Sequence, residues 1–254
     1  MDLKSILNRG ERNPPRILIY GEIGIGKTTW ANTYPHEKSI FIPIEDGTAS
    51  IERSKNIANR PKTFNELNNI IDVLIDSDHP FKLVILDSAT KIEQLIYKEV
   101  EKEKEVNNIG LIGWQNGYKI AARKFEIFLD KLDTLRIEKK MIIIFTSHVL
   151  TEPVRPPIGE DYMKYSLSLH KKSKAKVEEW ADIITFLKYD FFVDEEEKKI
   201  VSKGERVLYL VKNPGYDSKC RYRHMPDTIN FNNIDKGLNK FLKILKKAIK
   251  KGEK

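Results

Sequence analysis

An α/β fold built around a mostly parallel sheet flanked by helices is what this sequence predicts, and three observations predict it. Short, near-continuous apolar runs recur at Arg16–Tyr20, Ser39–Ile44, Leu83–Leu86 and Met141–Phe145. Stretches of helical composition separate them, at Lys27–Tyr34 and around Thr63–Ile75, Thr90–Lys104 and Tyr118–Leu135. The first run leads straight into a glycine-rich turn and then a helix. Strands buried on both faces read as continuous apolar runs rather than alternating ones. Their alternation with helices implies parallel neighbours joined by right-handed crossovers.

Taken in order, residues 1–15 form an N-terminal arm that ends in Asn13-Pro14-Pro15, where fixed φ angles and missing amide hydrogens favour an extended entry. The core is expected over 16–230. Within it, Thr151–Gly159 carries three prolines and a glycine, which predicts a functional loop rather than a helix or central strand. Ile183–Phe192 and Arg206–Val211 flank the charged stretch Asp194–Glu205 and predict an antiparallel hairpin at the sheet edge. Residues 231–254 form a basic amphipathic tail. A helix over Asp235–Lys251 would gather Leu238, Phe241, Leu242, Leu245 and Ile249 on one face, with lysines elsewhere. Such a stripe suits docking on a neighbouring subunit, and its lysines suit nucleic acid or an anionic membrane surface.

The composition narrows the function classes. A chain of 254 residues with 40% hydrophobic content supports one sizeable domain with appendages. The lone Cys220 excludes an internal disulfide and a multi-cysteine metal site, and suits a reducing cytoplasm. No signal peptide or membrane span is legible, so no membrane partner is expected. The net charge of +8 points to an anionic polymer as partner.

The chemistry begins at the glycine-rich turn. Gly21-Glu22-Ile23-Gly24-Ile25-Gly26-Lys27-Thr28 has the G-x-x-x-x-G-K-[ST] spacing between a strand and a helix, and Thr29 follows. Glycines let successive amides turn inward around a polyphosphate, and the helix N-terminus adds its own. Lys27 reaches the β and γ phosphates, and Thr28 offers a hydroxyl to magnesium, so ATP and Mg2+ are the expected ligands. Asp87, ending Leu83–Leu86, would hold magnesium through a water, although Asp87-Ser88-Ala89-Thr90 could equally cap the next helix. Glu45, ending Ser39–Ile44, could polarise the attacking water as general base, or be a solvated acid before the turn at Asp46-Gly47.

This arrangement resembles the RecA-like P-loop ATPases, in which the P-loop helix leads into a strand ending in the catalytic glutamate. Phe41-Ile-Pro-Ile-Glu45-Asp46-Gly47 looks like that strand, and Thr146-Ser147-His148-Val149 like the sensor strand, with His148 where a glutamine commonly stands. The likeness is greatest to phage-encoded nucleotide-binding proteins of single-strand annealing and recombination, from Arg16 to about Ile229. It rests further on Gly159-Glu-Asp-Tyr162, Leu169-His-Lys-Lys172, Glu179-Trp-Ala-Asp182 and Tyr216-Asp-Ser-Lys219-Cys-Arg221-Tyr222. The resemblance implies a RecA-like core that hydrolyses ATP at subunit interfaces of an oligomer, in the host cytoplasm if phage-encoded. His148 would sense the γ phosphate or serve a structural role. Lys219 and Arg221 would act in trans on a neighbour's ATP. The intervening cysteine departs from the family pattern.

The same resemblance places single-stranded DNA on the stretch after the sensor strand, from Leu150 to about Lys176. There Arg155, Lys164, Lys171, Lys172, Lys174 and Lys176 could follow phosphates, while Tyr162 and Tyr165 could stack on bases. The bland reading is that the lysines are solvated and the tyrosines packed. The leading expectation is a DNA-stimulated recombination or annealing ATPase, with a single-strand-binding protein as a further partner. A small-molecule or nucleotide kinase and a non-hydrolysing, ATP-dependent assembly factor are the alternatives.

Overall fold

The structure, a computed structural model, describes residues 13–46, 56–194 and 199–252. Most of the N-terminal arm, Gly47 of the turn after Glu45 and residues 195–198 of the charged stretch lie outside the described residues.

The helices are α1 (Lys27–Ala31), α2 (Phe64–Asp76), α3 (Ala89–Glu103), α4 (Asn116–Glu138), α5 (Lys171–Trp180) and α6 (Gly237–Lys251). The strands are β1 (Arg16–Gly21), β2 (Ser39–Pro43), β3 (Leu83–Asp87), β4 (Ile142–Val154), β5 (Tyr162–Leu167), β6 (Ile183–Asp194), β7 (Lys199–Tyr209), β8 (Lys219–Cys220) and β9 (Thr228–Phe231). They form one nine-stranded sheet with the order β2-β3-β4-β1-β6-β7-β9. From β2 to β6 every neighbouring pair is parallel. Apolar side chains of these strands are buried on both faces, and helices α2 to α5 cover one face while α1 and α6 cover the other. The mixed α/β architecture with a mostly parallel sheet is therefore the one the apolar runs predict.

Three expectations need correction. Thr151–Val154 is strand, because β4 continues past the parallel sheet and pairs antiparallel with β5, Val149 facing Leu167 and Val154 facing Tyr162. The two form an arm closed by residues 155–161. Proline is tolerated there because Pro153 has a strand on one side only. Next, β6 and β7 do pair antiparallel, but β6 also lies parallel to β1 and β9 covers β7, so the hairpin is not the edge. Finally, α6 lays its apolar stripe on its own chain. Phe241 meets the Trp30 ring edge-on at 5.6 Å, and Leu238 donates its amide to Thr33 Oγ1 at 2.9 Å. That stripe is thus occupied before any neighbour or membrane is considered.

Candidate functional site

The candidate site lies where β1, β2 and β3 end, beside the point at which β4 leaves the parallel sheet. Gly21 closes β1 beside Leu187 of β6, and a Cβ there would stand 2.3 Å from the Leu187 carbonyl oxygen, so only glycine lets the strands pair this closely. Gly24 and Gly26 take φ of 78° and 100°, values that favour glycine and turn the loop into α1. Arg206 holds the outside of the loop by donating Nε–H to the Ile25 carbonyl at 2.8 Å. Ile234, just before α6, packs against Gly26. Glu22, Ile23 and Thr29 are exposed on the loop and α1.

Lys27 is buried and folds back to donate to the carbonyls of Gly21 at 2.9 Å and Glu22 at 2.8 Å. Burial pulls its pKa down, and the nearby Asp87 and Glu45 carboxylates partly offset this. A polyanion in the loop would supply the missing counter-charge.

Thr28 Oγ1 donates to Asp87 Oδ2 at 2.7 Å, and Thr146 of β4 donates to the other carboxylate oxygen. The cap of α3 is not Asp87 but Ser88, whose hydroxyl accepts from the Lys91 amide at 3.3 Å. Asp87 is therefore left to the site. The pair offers only oxygen donors, a hydroxyl and one carboxylate, which fits a hard cation that keeps several waters. Burial, joined by the Glu45 charge, pushes the Asp87 pKa above its ordinary value. The folded chain then holds this proton more tightly than the unfolded chain. Charged Asp87 costs stability above the raised pKa, and the cost vanishes below the ordinary aspartate value. In metal-free buffer, Asp87→Asn should gain in Tm relative to the parent as pH rises through that window. Parallel Tm profiles would refute this.

Glu45 is placed by the backbone, since the amides of Ile44 and Glu45 both donate to the Asp87 carbonyl, at 2.8 and 3.0 Å. Its carboxylate is held by the Ser88 hydroxyl and by His148 Nε2, the latter at 2.8 Å. Burial raises the Glu45 pKa, but these two bonds and the Lys27 charge outweigh it and leave the group below its ordinary value. An ionised carboxylate only accepts, so Nε2 carries the proton of the pair. His148 faces Gly21 in the β1–β4 register and immediately precedes the arm. Lys27, Thr28, Glu45, Asp87 and His148 are thus brought together. Ser88 and Thr146 join them; in the sequence Ser88 directly follows Asp87, and Thr146 stands two residues before His148 on the same strand.

The other predicted residues lie elsewhere. Lys219 and Arg221 sit near the start of β6, at the end of the sheet away from the loop. Lys219 donates to the Glu178 and Glu179 carbonyls at 2.6 and 3.2 Å, and Arg221 pairs with Asp182 at 3.1 Å. Of the residues expected on DNA, Lys164 and Lys174 are tied up within the chain. Lys164 pairs with Asp217 at 2.9 Å, and Lys174 bridges Glu152 at 2.8 Å and Asp217 at 3.1 Å. Tyr165 stacks on Phe186 at 5.1 Å between ring centroids. Close-range charge attraction and apolar burial hold these three against the sheet. Arg155, paired with Asp161 at 3.4 Å, is exposed at the tip of the arm, and Tyr162 is half-buried on β5. Lys171 and Lys172 open α5 and make no ion pair among the described residues.

No helix among the described residues is long and apolar enough to cross a membrane. No curated protein is significantly similar to the chain. A family described as an AAA domain matches residues 13–222, which include the loop, both strand-end carboxylates and the arm. The fold, the phosphate-loop geometry and this match agree: the chain belongs to the AAA domain family and carries a P-loop NTPase core.

Proposed function

We propose that this chain hydrolyses ATP at the site formed by Lys27, Thr28, Asp87 and Glu45, and that hydrolysis serves a single-stranded DNA transaction of the recombination or annealing kind. The observation that carries the first part is the convergence of the Thr28–Asp87 pair with an ionised Glu45 beside the phosphate loop. Lys27 would exchange its two carbonyl partners for phosphate oxygens, and the inward-turned amides would hold the polyphosphate. Thr28 and Asp87 would hold Mg2+, which neutralises charge on the phosphates. Glu45 takes a proton from water as its oxygen attacks the γ phosphorus, and the β–γ bridging oxygen leaves with ADP.

The second part is supported by the positive net charge and by the arm. Among the named candidates, Lys171 and Lys172 make no ion pair among the described residues, and Arg155, exposed at the tip of the arm near Tyr162, has only the exposed Asp161 as partner. His148 stands where β4 passes from the sheet into the arm and also holds Glu45. A strand bound on the arm would therefore be felt at the general base. Lys219 and Arg221 sit at the end of the sheet away from this chain's own loop, and the part that the RecA-like resemblance suggests for them is in trans, in an oligomer.

DNA-stimulated phosphate release tests the coupling, and the salt dependence of binding tests the surface. With about three phosphate contacts and about 0.7 released counterion for each, log affinity for single-stranded DNA should fall with log salt at a slope near −2. A flat salt response, or hydrolysis indifferent to DNA, would remove DNA from the account and leave the ATPase.

A further inference from the structure

At the end of the sheet away from the phosphate loop, guanidinium groups outnumber their partners. Arg16 pairs with Asp182 at 2.8 Å and with Asp133 at 3.0 Å, Arg136 pairs with Asp133 at 3.0 Å, and Arg221 pairs with Asp182 at 3.1 Å. Arg223 is exposed and makes no ion pair among the described residues. Arg136, Asp182, Arg221, Tyr222 and Arg223 line one cavity of about 500 Å³. Among the described residues, three arginines thus share two aspartates, and Arg223 adds a fourth guanidinium without an ion-pair partner.

The shortage extends to hydrogen bonding. The Arg136 side chain is only 11% exposed, and its Nε is buried without an acceptor. Arg136 lies 3.0 Å from Asp133 and 4.0 Å from Asp182, and burial and the neighbouring Arg16 charge pull its pKa down against these two carboxylates. A tetrahedral oxyanion is acceptor-only and matches the fork of an arginine, which suits this lining. A cavity of this size admits a ligand as large as a nucleotide.

We propose that this cavity is a second oxyanion site, separate from the phosphate loop, in which Arg136 and Arg223 take a phosphate group. The phosphate could come from a free phosphate compound or from a nucleic-acid backbone, and the test separates the two. Inorganic pyrophosphate is titrated calorimetrically, at constant ionic strength, into the full chain carrying Lys27→Ala, which disables the phosphate loop of every subunit. Saturable binding is expected. It should weaken by about tenfold or more when Arg223→Ala is added, the loss expected for a hydrogen-bonded charge contact, and stay unchanged with Lys246→Ala, an exposed lysine on α6. Because Arg223 is exposed, its removal leaves the fold intact. Absence of saturable binding, or binding that Arg223→Ala leaves within about twofold, overturns the proposal. Displacement of pyrophosphate by a single-stranded oligonucleotide supports the site and names the backbone as the source. Persistence of pyrophosphate under the oligonucleotide supports it with a free phosphate compound as ligand.

Discussion

Glu45→Gln should lower ATP turnover by about 10²- to 10⁴-fold, the range expected when a positioned general base is removed, while ATP affinity changes little. The amide keeps the shape of the side chain and can still meet the Ser88 hydroxyl and His148, yet it cannot accept a proton from water. The phosphate loop is untouched, since Glu45 contacts Lys27 only through its charge. Binding and chemistry should therefore separate. A nucleotide-binding assay beside single-turnover phosphate release reads both. Turnover equal to the parent's would remove Glu45 from the chemistry, and a parallel loss of binding would make it a structural residue.

Truncation after Asn233 should be close to unfolding. It removes Leu238, Phe241 and Leu245, each at most 2% exposed, and bares Trp30, Phe231 and Leu208 beneath them. At about 1.5 to 3 kcal/mol for each large side chain, the loss is about 5 to 9 kcal/mol, comparable with the whole stability of many domains, about 5 to 15 kcal/mol. The truncation also takes Ile234 away from Gly26, so the phosphate loop loses its outer support. A milder change reads the same contact: a Cβ at Gly237 would stand 2.0 Å from Trp30 Cδ1. Gly237→Ala should cost about 1 to 3 kcal/mol as α6 is forced outward. Thermal or urea unfolding measures both, and a truncated chain with an unchanged Tm would show that α6 is dispensable.

The chain shows which kinds of structure a sequence discloses. The phosphate loop was legible because fixed spacing and positive-φ glycines are local, and the parallel strands because burial on both faces leaves continuous apolar runs. Glu45 and Asp87 could be placed at strand ends, but the choice between site and cap needed the neighbouring Ser88 hydroxyl in space. The arm was missed because its prolines suppress a strand reading, while its pairing depends on β5, beyond the turn. The lysines misled for a related reason. Lys164 meets an aspartate 53 positions away, and no count of charges along the chain distinguishes a paired lysine from a free one.

The measurement that bears most directly on the account is phosphate release from ATP by the parent chain and by Lys27→Ala, each with magnesium and with a chelator. Release by the parent should require magnesium and be lost in Lys27→Ala. Release that persists in the chelator, or that Lys27→Ala retains in full, would contradict a single magnesium-dependent site at Lys27, Asp87 and Glu45.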